Sequence, residues 1–298
     1  MRAAEGTRST FPEPHDGQER SWRSFCEAKS PAEPNQPSNR CPPPQSRSKT
    51  IIYGPFYNAP VFPLVFLHGV GGGHAAWDRQ VAHFTRLGYS CIAWDQPGYG
   101  GTPPVEPYSL ENVAEALRRI LPPGKSILVG HSMGGFVAQA AWARFPERIA
   151  GLALCFTSAA FAGGSDFARQ FTAQRIAPLD EGKTMAEIAA KLMPTMRGAK
   201  SDPAGLATAE RIMAGIAPDT YRKAVTMLTT FDHRHTLPTI SVPTLVVAGS
   251  DDRTAPPAVM QRMAERIPGA RYVVLEGCGH LGPMDQPEEF NAVLERFL

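Results

Sequence analysis

The sequence predicts an α/β fold: a mostly parallel sheet with helices on both faces, interrupted once by a helical insertion. Three observations lead there. Short apolar runs such as Leu64-Val65-Phe66-Leu67 and Ile127-Leu128-Val129-Gly130 alternate with stretches whose apolar residues recur at helical spacing. No two-residue hairpin turn separates successive runs, so neighbouring strands need crossover connections, as parallel strands do. The runs are also continuously apolar instead of alternating, the pattern of strands buried on both faces.

Composition narrows the class. Of 298 residues, 43% are hydrophobic and 19% charged, which suits a globular protein with a sizeable core. A net charge of +2 gives no electrostatic drive toward nucleic acid or an anionic membrane, so neither is an expected partner. No apolar run approaches the ~20 residues that span a bilayer. The N-terminus lacks the apolar stretch of a secretory signal, and Glu5, Glu13, Asp16 and Glu19 argue against a transit peptide. The five cysteines (Cys26, Cys41, Cys91, Cys155 and Cys278) include no C-x-x-C pair, and two of them fall inside predicted strands. Reduced thiols in a cytoplasmic protein are the expectation. No feature sets an oligomeric state.

Taken in order, residues 1–49 are rich in Pro, Ser, Arg, Glu and Gln and hold no sustained apolar period, which predicts a disordered Pro-rich tail. A P-x-x-P match at 31–34 has the form of a partner ligand, but an inert tail is the simpler expectation. Only 51–62 precedes the first strong strand, and Pro55 and Pro60 limit it to a short edge strand, because proline removes a ladder donor. The strand at 64–67 ends in His68-Gly69-Val70-Gly71-Gly72-Gly73. A helix over 76–87 follows (Trp77, Val81, Phe84, Leu87), with Gly88 as its C-cap. After the strand at 91–94 comes the turn-rich Asp95-Gln96-Pro97-Gly98-Tyr99-Gly100-Gly101. Ser109 caps a helix that ends at Pro122-Pro123.

The strand at 127–130 runs into a helix with Val137, Ala138, Ala141, Trp142 and Phe145 at helical spacing, and a strand at 150–156 follows. Strands then stop. Residues 157–238 offer only helical segments: 166–176, one opened by the capping box Thr184-Met185-Ala186-Glu187, 204–216 and 219–231. The alternation resumes with a strand at 243–249, a helix at 257–267, a strand at 272–275 and a helix at 287–297. The expected organisation is therefore a core of 50–156 plus 239–298, with 157–238 as a helical cap. Such a cap would sit over the carboxyl ends of the strands, the edge where open α/β sheets bind ligands.

The chemistry centres on Gly130-His131-Ser132-Met133-Gly134, a G-x-S-x-G placed where a strand ends and a helix begins. The turn is too sharp for bulky flanks, so glycines stand there and Ser132 is presented at its tip. A serine hydroxyl needs a base within hydrogen-bond reach, and the base needs a third group to fix its tautomer. Two downstream positions fit, both just past strand ends. Asp252 in Ser250-Asp251-Asp252-Arg253 is the expected acid, with Asp251 as the alternative. His280 in the glycine-rich Glu276-Gly277-Cys278-Gly279-His280 is the expected base.

Attack on a carbonyl creates an oxyanion, which backbone N–H groups must meet. Met133, at a helix N-terminus, is one expected donor, and Val70, or Gly71 instead, is the other. His131 should diverge from the serine beside it, and His68 should support its loop. Cys278 has no pairing group and reads as a spectator. His233 and His235 lack other ligands at metal spacing, so no metal is expected, and no cofactor is implied.

These features together resemble the α/β-hydrolase superfamily over 51–298: H-G-V-G-G at 68–72, D-Q-P-G-Y-G at 95–100, G-H-S-M-G-G at 130–135, G-x-x-D at 249–252 and G-C-G-H at 277–280. The resemblance implies Ser132 as nucleophile, Asp252 as acid and His280 as base, and makes Asp95 a structural loop residue. Within the superfamily, L-A-L-C-F-T-S-A-A-F, V-P-T-L-V-V-A-G-S-D-D-R-T-A-P-P and E-G-C-G-H-L-G-P-M-D-Q-P-E-E-F-N are most similar to 3-oxoadipate enol-lactonase-like hydrolases and related carboxylesterases. One departure stands out: the family places two or more strands before the H-G loop, where this chain has room for one short one. The expected function is a serine hydrolase of small carboxylic esters or lactones. Alternatives are a carbon–carbon bond hydrolase of ring-cleavage products using the same triad, and a catalytically silent scaffold or ligand receptor. Phe161, Phe167 and Phe171 are candidates to line the substrate pocket, with Met193, Met196, Met213 and Met227.

Overall fold

Seven strands form one sheet: Ile51–Tyr53 (β1), Leu64–Leu67 (β2), Cys91–Trp94 (β3), Ser126–His131 (β4), Ile149–Cys155 (β5), Thr244–Gly249 (β6) and Arg271–Leu275 (β7). Their order is β1-β3-β2-β4-β5-β6-β7. All neighbours are parallel except β1, which runs antiparallel to β3 along one edge. The computed structural model of the chain describes residues 51–53, 62–161 and 164–298, with side chains at 51–53, 164, 165 and 167 outside the description. The tail expected at 1–49, with His15, Cys26 and Cys41, lies outside the described residues.

Alternate residues of the buried strands face opposite layers. Leu64 and Phe66 join one core cluster with Cys91, Ala93, Val129 and Val247. Asp78–Arg86 (α1) closes that face with Val81 and Phe84. Val65, Leu67, Ile92, Trp94, Leu128 and Leu154 face the other cluster. That face is covered by Leu110–Ile120 (α2), whose N-cap Ser109 accepts from the Asn112 amide, and by Met133–Arg144 (α3). Helix α3 is apolar all round because it packs on the sheet, on α2 and on what lies above it.

Between β5 and β6 come Gly164–Asp180 (α4), Met185–Leu192 (α5), Pro203–Ala214 (α6) and Pro218–Leu228 (α7). Thr184 and Glu187 cap α5 reciprocally, each side chain meeting the other's backbone N–H. Pro257–Glu265 (α8) then follows β6, and Gly282–Asp285 (α9) and Pro287–Glu295 (α10) follow β7. Phe136 of α3 stacks on Phe231 just after α7, with ring centroids 3.9 Å apart, and so joins the interrupting helices to the sheet layer.

The strand order fixes where a ligand can go. The chain leaves β2 toward β3 on one side, then returns past it to β4 on the other. The loops after β2 and β4 therefore diverge, leaving a crevice beyond their carboxyl ends. The sequence brings its most distinctive loops, 68–73 and 130–134, to that crevice.

Candidate active site

Ser132 ends β4 and precedes α3 with φ 53° and ψ −118°, a left-handed conformation that costs a non-glycine residue of order 1–3 kcal/mol. Its surroundings hold it there. The Ser132 N–H donates to the Cys155 carbonyl at 2.9 Å, and its own carbonyl accepts from Thr157 Oγ1 at 2.8 Å. Tight packing requires the glycine at 134: a Cβ there would lie 2.0 Å from the Leu67 carbonyl oxygen. The elbow thus brings the start of α3 against β2.

His280 and Asp252 meet the serine from the far side of the sheet edge. His280 Nε2 is 3.0 Å from Ser132 Oγ, and His280 Nδ1 is 2.8 Å from Asp252 Oδ2. Burial opposes ionisation of Asp252, but His280 and the backbone N–H groups of Ala255 and Thr254 outweigh it and hold the carboxyl below its ordinary value. Both amides donate to Asp252 Oδ1, at 2.9 and 2.7 Å. An ionised carboxylate only accepts, so Nδ1 bears the imidazole proton and Nε2 is free to accept from the serine hydroxyl. Asp251, the alternative acid, turns away: its carboxylate accepts from the Ala199 N–H at 2.8 Å and from Ser250 Oγ at 2.9 Å.

His131 has a task that its sequence position does not disclose. Its ring makes no hydrogen bond to the adjacent serine, but its Nε2 lies 2.7 Å from the His280 carbonyl oxygen. Burial, reinforced by the nearness of His280, lowers its pKa to about 3. The ring is therefore neutral, and since a carbonyl only accepts, Nε2 donates. The loop bearing His280 is held on its other side too. The His280 N–H donates to the Met196 carbonyl at 2.8 Å, and the Lys200 N–H to the Gly277 carbonyl at 2.8 Å. A Cβ at Gly279 would lie 2.1 Å from the Met196 carbonyl oxygen, so only glycine allows this approach.

In the β2 loop, Gly72 N–H closes a turn on the Gly69 carbonyl at 2.9 Å, and Val70 and Gly71 line the space above Ser132. His68 supports that loop. Its Nδ1 donates to the Gly69 carbonyl at 2.8 Å and its Nε2 accepts from the Gln96 N–H at 3.1 Å, while burial lowers its pKa to about 4. Asp95 is buried and spends both oxygens on His74, at 2.7 Å each. Met133 is fully buried, and as the first residue of α3 its N–H has no carbonyl one turn earlier in the helix to meet. Cys278 is a buried free thiol whose pKa burial pushes well up. Among the described residues, no three His, Cys, Asp or Glu side chains cluster as metal ligands.

A cavity of about 70 Å³ lies over Ser132 and His280. Met193, Met196 and Met213 line it, as does Phe171 of α4, whereas Met227 is buried elsewhere in the core. Phe161 lies outside this lining. It borders a separate surface cavity of about 630 Å³ and meets Phe171 edge-on at 4.9 Å. The side chain of Phe167 lies outside the described residues. Lining residues that the sequence reading did not single out include Arg175, Tyr221 and Met284. For Arg175 a signal existed, since it follows Phe171 by one helical turn and shares its face.

A model of the alpha/beta hydrolase fold family matches residues 63–287. The chain is 30% identical over 256 residues to 3-oxoadipate enol-lactonase 2 of Acinetobacter baylyi, covering 83% of this chain and 94% of that protein. It is 29% identical over 259 residues to the 2-hydroxy-6-oxononadienedioate/2-hydroxy-6-oxononatrienedioate hydrolase of Burkholderia vietnamiensis, covering 79% and 86%. The solved enol-lactonase of Burkholderia xenovorans LB400 superposes with a TM-score of 0.72 at 26% identity, over 83% of this chain and 94% of that one.

Proposed function

Because the chain belongs to the alpha/beta hydrolase family, we propose that it is a serine hydrolase of carboxylic esters or lactones. The observation that supports this most is the continuous relay from Ser132 Oγ through His280 to Asp252, at 3.0 and 2.8 Å. In this reading His280 Nε2 takes the serine proton as Oγ attacks the carbonyl carbon. Asp252 stabilises the imidazolium that results. The N–H groups of Met133 and Val70 receive the oxyanion, as preorganised donors that need no rearrangement when the charge develops. Collapse of the tetrahedral intermediate returns the proton from His280 to the leaving alkoxide, leaving an acyl-enzyme. Water, deprotonated by the same imidazole, then releases the acid.

The chemistry of the residues calls for no cofactor, and the partner is a small ester or lactone. The free buried thiols Cys91, Cys155 and Cys278 support a cytoplasmic setting. No helix among the described residues is long and apolar enough to cross a membrane.

The test is labelling with a serine-directed fluorophosphonate, together with turnover of short p-nitrophenyl esters. Wild type is expected to label and turn over. Ser132→Ala should lose labelling and at least about 10⁴-fold in kcat. A silent scaffold or receptor would do neither, and ester turnover undiminished in Ser132→Ala would refute the mechanism. The likeness to the Burkholderia vietnamiensis hydrolase favours a second reading, carbon–carbon bond hydrolysis through the same three residues. That enzyme would label equally but prefer a dienoic diketone over any ester.

A further inference from the structure

Arg175 has no part in the chemistry just described, yet among the described residues it is the one permanently charged side chain lining the cavity over Ser132. Its guanidinium carbon lies 5.1 Å from the centre of the Phe171 ring. No Asp or Glu among the described residues pairs with it, and Asp180, further along α4, is taken by Arg222 at 2.6 Å. Beside it stands Tyr221 of α7, completely buried, whose phenol O–H meets no acceptor. Burial raises that phenol above its ordinary value, and Arg175 partly offsets this through its charge and through a hydrogen bond from the guanidinium, which the phenol oxygen accepts. The surrounding wall is apolar, with Met193, Val225 and Leu228 among it.

A cation that faces an apolar cavity without an acidic neighbour is unfavourable unless something anionic joins it, and an aromatic face offsets only part of that cost. Arg175 also borders an outer groove of about 420 Å³ along α4 and α5, where Lys183 and Lys191 are matched by Glu181 and Glu187. It thus borders both the groove and the inner cavity, with a phenol O–H beside it that meets no acceptor.

We propose that Arg175 and Tyr221 form a carboxylate-binding subsite, so that the preferred substrate is an ester or lactone whose acyl part ends in a carboxylate. This rests on the serine-hydrolase reading above. The forked guanidinium donors and the single phenol donor match the two oxygens of a carboxylate, and charge-assisted bonds of this kind are the strong ones. With the carboxylate at Arg175 and the reacting carbonyl at Ser132, the two ends of the acyl group are recognised by separate groups lining one cavity. Binding energy gathered at the anchored end orients the end that reacts.

The experiment compares monomethyl glutarate and monomethyl adipate with methyl valerate and methyl hexanoate. Wild type should favour the anionic esters by about tenfold or more in kcat/KM. Arg175→Met should collapse that ratio by about the same factor, Arg175→Lys should recover part of it, and Tyr221→Phe should lower it less. If Arg175→Met does not fold, Arg175→Gln and Tyr221→Phe serve in its place. A smaller preference, or a ratio unmoved by these substitutions, overturns the proposal. Glutarate alone should raise the melting temperature of wild type but not of Arg175→Met, and no shift in wild type also counts against the subsite. That arm needs no turnover. If Ser132→Ala still cleaves esters, the serine reading fails while glutarate binding continues to test the anchor.

Discussion

His131 donates to the His280 carbonyl from a buried site that keeps it neutral, its pKa at about 3, across any working pH. The bond therefore persists while His280 gains and loses its proton, and it orients the backbone from which that imidazole projects. His131→Phe should lower kcat by about tenfold with KM little changed, and His131→Gln, which can still donate, should retain more. Steady-state kinetics with a short p-nitrophenyl ester reads both. Asp252→Asn should cost about 10⁴-fold in kcat, because an amide can present its NH₂ to Nδ1 and favour the wrong tautomer. The three residues of the relay were legible because each sits just past a strand end in a recognisable loop. The choice between Asp251 and Asp252 turned on direction, which spacing leaves open: one carboxylate faces His280 and the other the Ala199 amide. His131 and Tyr221 were not legible in the roles proposed for them, and Arg175 only through the helix face it shares with Phe171. Their partners are other elements, in the case of His131 a carbonyl 149 positions away.

At the scale of elements, local signals fixed the helices well where a cap was present. The box at Thr184 and Glu187 forms as expected, with Thr184 Oγ1 accepting at 3.2 Å and the Glu187 carboxylate accepting at 2.8 Å. Thr184→Ala should destabilise the protein by about 1 kcal/mol, measured by urea denaturation, because the Glu187 N–H loses its acceptor and the Glu187 carboxylate loses the Thr184 hydroxyl. Helix α6 begins one residue before its expected start, at Pro203, since proline at a first helical position forfeits no hydrogen bond and Asp202 caps it. Helix α4 continues to Asp180, past the expected end at 176, with Pro178 inside it. Proline so near the terminus removes one internal bond and leaves little helix to disrupt. Trp77 falls in a 3₁₀ turn, His74–Trp77, instead of in α1 itself. Helix α9 is four residues long and too short to show any period.

Over the whole molecule, alternation of strand and helix was enough to predict the layers, but strand order depends on pairings between distant segments and left no mark on any one of them. The same holds for Asp285 in α9. It is buried, and burial lifts its pKa from 3.8 to about 6, against the opposing hydrogen bond from Ser201 Oγ at 2.7 Å. A raised carboxyl favours the native state while protonated in both states. Its contribution is therefore full below about pH 4 and lost as pH rises through about 6. Relative to Asp285→Asn, wild type should lose no more than about 3 kcal/mol across that window. Denaturation midpoints at pH 4, 5, 6 and 7 check the sign: the gap should open with pH, and a constant gap would contradict it.

The backbone bonds that join Met196 and Lys200 to the Gly277–His280 loop also constrain how the enzyme can breathe. Through these bonds the stretch between α5 and α6 is tied to the loop that carries His280. Raising that part of the roof to admit a substrate would pull the imidazole off the serine it serves. Arg175 of α4 borders both the outer groove and the cavity over Ser132, so entry by that flank would leave those two bonds intact.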